Sequence, residues 1–115
     1  MILKNRTILL TGTAGFLAQQ FVRDIICAGG YVVGLDVRDE KLEKVKSNMA
    51  QHDLSDGLLT YECDITCEDS LTRVLDDLRQ RKVKLDGIVN NACINPAMSS
   101  EEPSVESDLA NFSLA

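Results

Sequence analysis

Apolar residues along this chain follow two alternating rhythms. Short, nearly continuous apolar runs at 7–10, 31–36, 58–63 and 85–89 read as strands; between them apolar positions recur every three to four residues and read as helices. The first strand, residues 7–10, ends at Thr11-Gly12. Leu17, Phe21, Ile25 and Ala28 then mark one face of a helix that Gly29-Gly30 should end, since glycine tolerates positive φ. Tyr31–Asp36 is an apolar strand closing on an acid, and Leu42, Val45 and Met49 form the inner stripe of a second helix. Residues 58–63 follow a polar loop as the third strand. In the third helix Leu71, Val74, Leu75 and Leu78 fall at i, i+3, i+4 and i+7. Thr66 with Asp69 fits a capping box at its start, and Arg79, Arg81 and Lys82 lie where the helix dipole favours cations. Residues 85–89 form the fourth strand and run into Asn90-Asn91-Ala92-Cys93.

Continuous apolar strands alternating with amphipathic helices specify an α/β fold with a parallel sheet. Right-handed crossovers place the first two helices on one face and the third on the other, giving strand order 3-2-1-4 with a switch point between the first and fourth strands. The folded unit is expected over residues 1–95. Residues 96–115 are a polar, acidic tail with little to bury before Leu109, Phe112 and Leu114. Three helices cover only part of such a sheet, so an apolar patch and an open edge are expected beside the fourth strand.

Charge narrows the range of partners. The net charge is −6, and Glu101, Glu102, Glu106 and Asp108 place four of those negative charges in the tail. Without a basic stripe, a nucleic-acid or anionic-membrane partner is not expected. No apolar run approaches the ~20 residues of a bilayer span, and the N-terminus turns too early for a secretory signal, so a cytoplasmic location is expected. The four cysteines (Cys27, Cys63, Cys67, Cys93) then read as reduced thiols. Their spacing is not that of a zinc site, and Cys63 and Cys93 should stand about 14 Å apart across the sheet; no metal is expected.

Chemistry concentrates at the strand ends. In Thr11-Gly12-Thr13-Ala14-Gly15-Phe16-Leu17-Ala18 one glycine lets the chain turn sharply, and a second lets backbone approach a diphosphate at the positive end of the next helix. Ala18 lets that helix pack closely on its strand. The spacing, Gly12-x-x-Gly15-x-x-Ala18, differs from GxGxxG, and a glycine turn without a ligand is the competing reading. Asp36 closes the second strand about 20 residues past the turn, the separation expected of the acid that binds an adenosine ribose. A carboxylate there accepts both ribose hydroxyls and repels a 2′-phosphate, favouring NAD over NADP, and Arg38 is placed to soften that repulsion. Asp64-Ile65, just past the third strand, reads equally as an adenine contact or as a helix cap. Asn90, Asn91 and Ala92 end the fourth strand at the edge where doubly wound sheets bind ligands, and asparagine side chains there can tie neighbouring strands together.

TGxxGxxA after the first strand, Asp at the end of the second, Asp-Ile after the third and NNA after the fourth resemble the short-chain dehydrogenase/reductase family over residues 1–95. The glycine spacing is that of the extended branch, whereas NNA is typical of the classical one. The resemblance implies a Rossmann-type sheet, here partial and lacking its C-terminal half, and a dinucleotide held by Gly12, Thr13, Ala14, Gly15, Phe16, Leu17, Asp36, Arg38, Asp64, Ile65, Asn90, Asn91 and Ala92. Phe16 and Ala18 stand where the classical pattern has glycines, and Cys93 replaces the glycine of NNAG. The family also implies a catalytic Ser and a Tyr-x-x-x-Lys pair. Tyr31 is followed four residues on by Leu35 and Tyr61 by Ile65, so no catalytic residue is expected in this chain. It reads as the NAD-binding portion of an oxidoreductase that moves hydride between nicotinamide and an alcohol or carbonyl substrate, and as inactive by itself. A non-catalytic NAD-binding or interaction module is the alternative. A flavin domain is disfavoured by the lack of Trp and of a loop Tyr. Homo-oligomerisation is left open.

Overall fold

Thr7–Thr11 forms β1, an inner strand of a four-stranded parallel sheet. The computed structural model describes residues 2–92. β2 (Tyr31–Asp36) and β3 (Leu58–Glu62) lie to one side of β1 and β4 (Gly87–Val89) to the other, in the order β3-β2-β1-β4 that the sequence predicts. Cys93 and the tail 96–115 lie outside the described residues.

Successive side chains of a strand point to opposite faces of the sheet, and β1 shows the division clearly. Leu10, aligned with Gly34 and Val89, packs with Ala18 and Val22 of α1 (Phe16–Cys27) and with Leu42, Val45 and Met49 of α2 (Asp39–Gln51). Leu9, aligned with Val33 and Ile88, packs with Val74 and Leu78 of α3 (Glu68–Gln80). The expected α2 stripe is fully buried, each such side chain contributing about 1.5–3 kcal/mol. Among the described residues Ile88, on the α3 side of β4, stays 60% exposed.

Helix α1 departs from its expected face. Ala18 and Val22 are its buried residues, Phe21, Ile25 and Ile26 are partly buried, and Leu17 is 59% exposed. The small Ala18 side chain lets the helix approach the sheet, and this rotates the larger Leu17 outward. Ala28 belongs to the helix end instead: Gly29 takes φ 93°, Gly30 N–H donates to Ile25 and Gly29 N–H to Ile26. This Schellman arrangement is what Gly29-Gly30 foretells.

The start of α3 also differs. Its N-cap is Cys67, without a side-chain cap, because Asp64 has taken the Thr66 hydroxyl (Oγ1 to Oδ1, 2.6 Å) and amide (2.9 Å). At the helix end Arg79 and Arg81 pair with Asp76 and Asp77. β4 is two residues shorter than expected: the Asp86 carboxylate accepts Thr7 N–H at 2.9 Å, and Asp86 N–H reaches the Thr7 carbonyl at 2.8 Å.

Candidate functional site

At the carboxyl edge of the sheet β1 turns sharply into α1. Gly12 has φ 67°, and a Cβ there would lie 2.9 Å from Ala92 Cα and 3.1 Å from Ala92 N. Only glycine meets both demands, a left-handed backbone and contact with the segment leaving β4. The Gly12 carbonyl accepts Gly15 N–H at 3.1 Å, and Gly15 caps α1 in an extended conformation. The first helical bond runs from Gln19 N–H to the Gly15 carbonyl, so the amides of Phe16, Leu17 and Ala18 precede the ladder. The first turn of α1 holds no acid to neutralise its positive end.

Thr13 and Ala14 fasten this turn to β2. Thr13 is fully buried; its hydroxyl donates to the Leu10 carbonyl (2.7 Å) and its amide to the Leu35 carbonyl (3.1 Å). Gly34 leaves room for it, since a Cβ on Gly34 would stand 2.7 Å from both Thr13 Cγ2 and Oγ1. Ala14 N–H donates to Asp36 Oδ2 at 3.0 Å, joining the glycine turn to the acid at the end of β2.

Asp36 is buried, with 3% of its side chain exposed, and Arg38 closes over it. Oδ1 accepts Arg38 N–H (3.0 Å) and Nε–H (2.9 Å), and Oδ2 accepts Arg38 Nη2 (3.1 Å) beside the Ala14 amide. Burial pushes the Asp36 carboxyl up. The Arg38 side chain, the Ala14 and Arg38 amides and the guanidinium charge outweigh it and hold the carboxyl below its ordinary range. Arg38 is raised in turn, first by its bond to Asp36.

The other strand ends complete the edge. Asp64 and Ile65 are exposed past β3; Asp64 holds the turn at Thr66 rather than capping α3, and those bonds lower its carboxyl. Past β4 the Asn91 and Ala92 amides both donate to Thr11 Oγ1, at 3.0 and 2.9 Å. Asn91 Nδ2 reaches the Gly12 carbonyl at 3.4 Å, and the Asn90 side chain is exposed.

The structure thus brings every predicted site residue to one edge of the sheet. Phe16 (94% exposed), Leu17, Val37 and Ile65 are exposed apolar residues there. Thr11, which binds β4 to the turn, is not among the residues the sequence points to; its signal is a hydroxyl at a strand end directly before glycine. Nor is Gly34, whose partner Thr13 lies 21 residues away. Among the described residues no three His, Cys, Asp or Glu side chains cluster as a metal site, and no helix is long and apolar enough to cross a membrane.

The profile of the short chain dehydrogenase family matches residues 6–112. A short chain dehydrogenase/reductase of Gibberella zeae, dpfgG, is 35% identical over 92 residues, which cover 80% of this chain and 33% of that protein. Among solved structures, 2-keto-3-deoxy-D-gluconate dehydrogenase from Streptococcus agalactiae matches with a TM-score of 0.74 at 26% identity, over 90% of this chain and 38% of its own. NAD+-bound xylitol dehydrogenase (TM-score 0.73, 22% identity, 96% and 42% of the two chains) shares the fold. So does the C-domain of a bacterial malonyl-CoA reductase with NADP (0.71, 20%, 82% and 15%). The chain spans about a third of the length of the curated relatives it matches. With a family profile covering nearly its whole length, on a sheet of matching strand order, the chain belongs to the short-chain dehydrogenase/reductase family, oxidoreductases built on a dinucleotide-binding fold.

Proposed function

We propose that this chain is the NAD-binding portion of an oxidoreductase that transfers hydride between nicotinamide and an alcohol or carbonyl carbon. The observation carrying this reading is the union of two features: an unneutralised helix N-terminus above the Gly12–Gly15 turn, and a buried carboxylate, Asp36, bonded to the Ala14 amide of that turn. The amides of Phe16, Leu17 and Ala18, which precede the helical ladder, suit a pyrophosphate, because a helix start supplies donors and a partial positive charge together. Asp36 suits the adenosine ribose, with Arg38 beside it; Asp64 and Ile65 suit the adenine. Asn90, Asn91 and Ala92 line the way toward the nicotinamide side, held against the turn through Thr11.

NAD would supply the hydride acceptor, and the Gly12–Gly15 turn, Asp36 and the Asn91–Ala92 segment would hold and orient it. Neither tyrosine belongs to a Tyr-x-x-x-Lys pair, so neither is given the proton-transfer role in this reading. A cytosolic setting, in which cysteines stay reduced, completes this reading.

Calorimetry with NAD, NADP and FMN tests the reading. NAD should bind, FMN should not, and Asp36→Asn should weaken NAD by about tenfold or more, the loss expected for a charge-assisted acceptor. Absence of NAD binding, or indifference to the substitution in a folded variant, would overturn it.

A further inference from the structure

Opposite the glycine turn, the amino ends of β1, β2 and β3 and the segment joining α3 to β4 border a cleft of about 600 Å³. That volume lies within the ~300–1,000 Å³ usual for small-molecule sites. Tyr31, Val33, Leu59 and Val83 supply an apolar wall, and Lys82 and Lys84, on either side of Val83 in the chain, bring two cations to it. Among the described residues neither lysine belongs to an ion pair. Two carboxylates also line the cleft. Asp86 is committed to the Thr7 amide and to Arg6, so Asp56 alone opposes the two lysines. The result is an apolar wall with one uncompensated positive charge, in a chain whose net charge is −6.

The backbone at Lys82 adds a second observation. Helix α3 ends in a Schellman motif, in which Lys82 N–H donates to the Arg79 carbonyl and Val83 N–H to the Leu78 carbonyl. Helix α1 ends the same way, with Gly29 at the corresponding place and φ 93°; Lys82 occupies it at φ 60°. Left-handed backbone favours glycine, and Asn5 and Asp53, the other non-glycine residues with positive φ among those described, carry the short polar side chains that tolerate it. Lysine has no such relief, so the fold alone would favour glycine at position 82.

We propose that this cleft binds a small carboxylate with a flat apolar body, its charge at Lys82 and Lys84 and its body against Tyr31, Leu59 and Val83. Neither half suffices alone, since an exposed ion pair in water contributes little and an apolar wall without charge does not select an acid. The site lies at the other end of the strands from the glycine turn, so it is occupied independently of a nucleotide there.

The test is an NMR titration of the 15N-labelled full chain with 2-naphthoate, with the uncharged 2-naphthalenemethanol and with acetate, for the wild type, Lys82→Gly and Lys84→Gln. 2-Naphthoate should give saturable shifts at the amides of Tyr31, Leu59, Val83 and Lys84 and leave Thr13 to Leu17 unmoved. The alcohol should bind at least about fivefold more weakly, and acetate should not saturate. Each substitution should weaken 2-naphthoate by about threefold to fivefold, as loss of one exposed ion pair implies, and leave the alcohol unchanged. Added salt should erode binding of the acid alone. Lys82→Gly keeps the fold, because glycine suits that backbone, so its weaker affinity is not a folding defect. Absence of saturable shifts, equal binding of acid and alcohol, saturation by acetate, shifts centred on the glycine turn, or an affinity unchanged in both variants would overturn the proposal.

Discussion

Replacing Gly34 with alanine puts a methyl group on a central strand, directly beneath the turn that β1 makes into α1. The new Cβ would stand 2.7 Å from both Thr13 Cγ2 and Oγ1 and 3.1 Å from Thr13 Cβ. Thr13 has nowhere to go, being fully buried and bonded through its hydroxyl to Leu10 and through its amide to Leu35. Overpacking of this kind costs about 1–3 kcal/mol, and loss of the Thr13 hydroxyl bond adds about 1 kcal/mol. Reduced freedom of the unfolded chain returns roughly 0.4–1 kcal/mol. Gly34→Ala should therefore destabilise the fold by about 2 kcal/mol. In a Thr13→Ala background the two atoms at 2.7 Å are gone, and the remaining contact at 3.1 Å eases with a shift of a few tenths of an ångström. There the same substitution should cost less than about 0.5 kcal/mol, leaving a coupling energy near ~2 kcal/mol. Urea unfolding of the four proteins at a common m-value measures it. Equal costs in the two backgrounds would refute the packing argument.

Thr11→Val keeps the shape of the side chain but leaves the Asn91 and Ala92 amides without their acceptor; at about 1–3 kcal/mol per orphaned group the loss should be near ~3 kcal/mol. Thr11→Ser should restore most of it, and hydrogen exchange should quicken at these two amides in the valine variant alone. Tyr61 is pushed up to about 12 by burial and by its bond to the Asp77 carboxylate. Because that value is raised, its contribution is intact below about pH 10 and fades as pH climbs toward 12. Tyr61→Phe should flatten that alkaline limb of a stability profile. The lowered carboxyl of Asp36 acts at the other end: its contribution is intact above about pH 4 and is lost as pH falls through the folded value, and Asp36→Asn should lack that acid limb.

Much of this arrangement is legible in the sequence because local pattern and global topology agree. The apolar strands and the Leu42, Val45, Met49 stripe fix which surfaces must be buried, and the handedness of the crossovers then yields the strand order. Asp36 is legible only together with the glycine turn: an acid closing a strand is common, but one about 20 residues past such a turn has the spacing expected of a ribose-binding carboxylate. The misses share a cause. Leu17 has the periodicity of a core residue, yet Ala18 decides the rotation of α1, and closeness of approach does not register in a hydrophobic pattern. Thr66 has the spacing of a cap, yet Asp64 competes for its hydroxyl. The pairing of Gly34 with Thr13 joins residues distant in sequence, and the fourfold occupancy of Asp36 depends on the rotamer of Arg38. Contacts of that kind exist only once the chain is folded.

The central claim places a dinucleotide at the carboxyl edge of the sheet. The opposite edge carries a competing cleft of about 600 Å³ that includes Tyr31, Leu59, Val83 and Lys84. An NMR titration of the 15N-labelled chain with NAD separates the two. The expected result is saturable shifts at the amides of Thr13 to Leu17, at Asp36 and Arg38, and at Asn91 and Ala92, with Tyr31, Leu59 and Val83 unmoved. Shifts centred on that opposite cleft, or none at the glycine turn at saturating NAD, would contradict it.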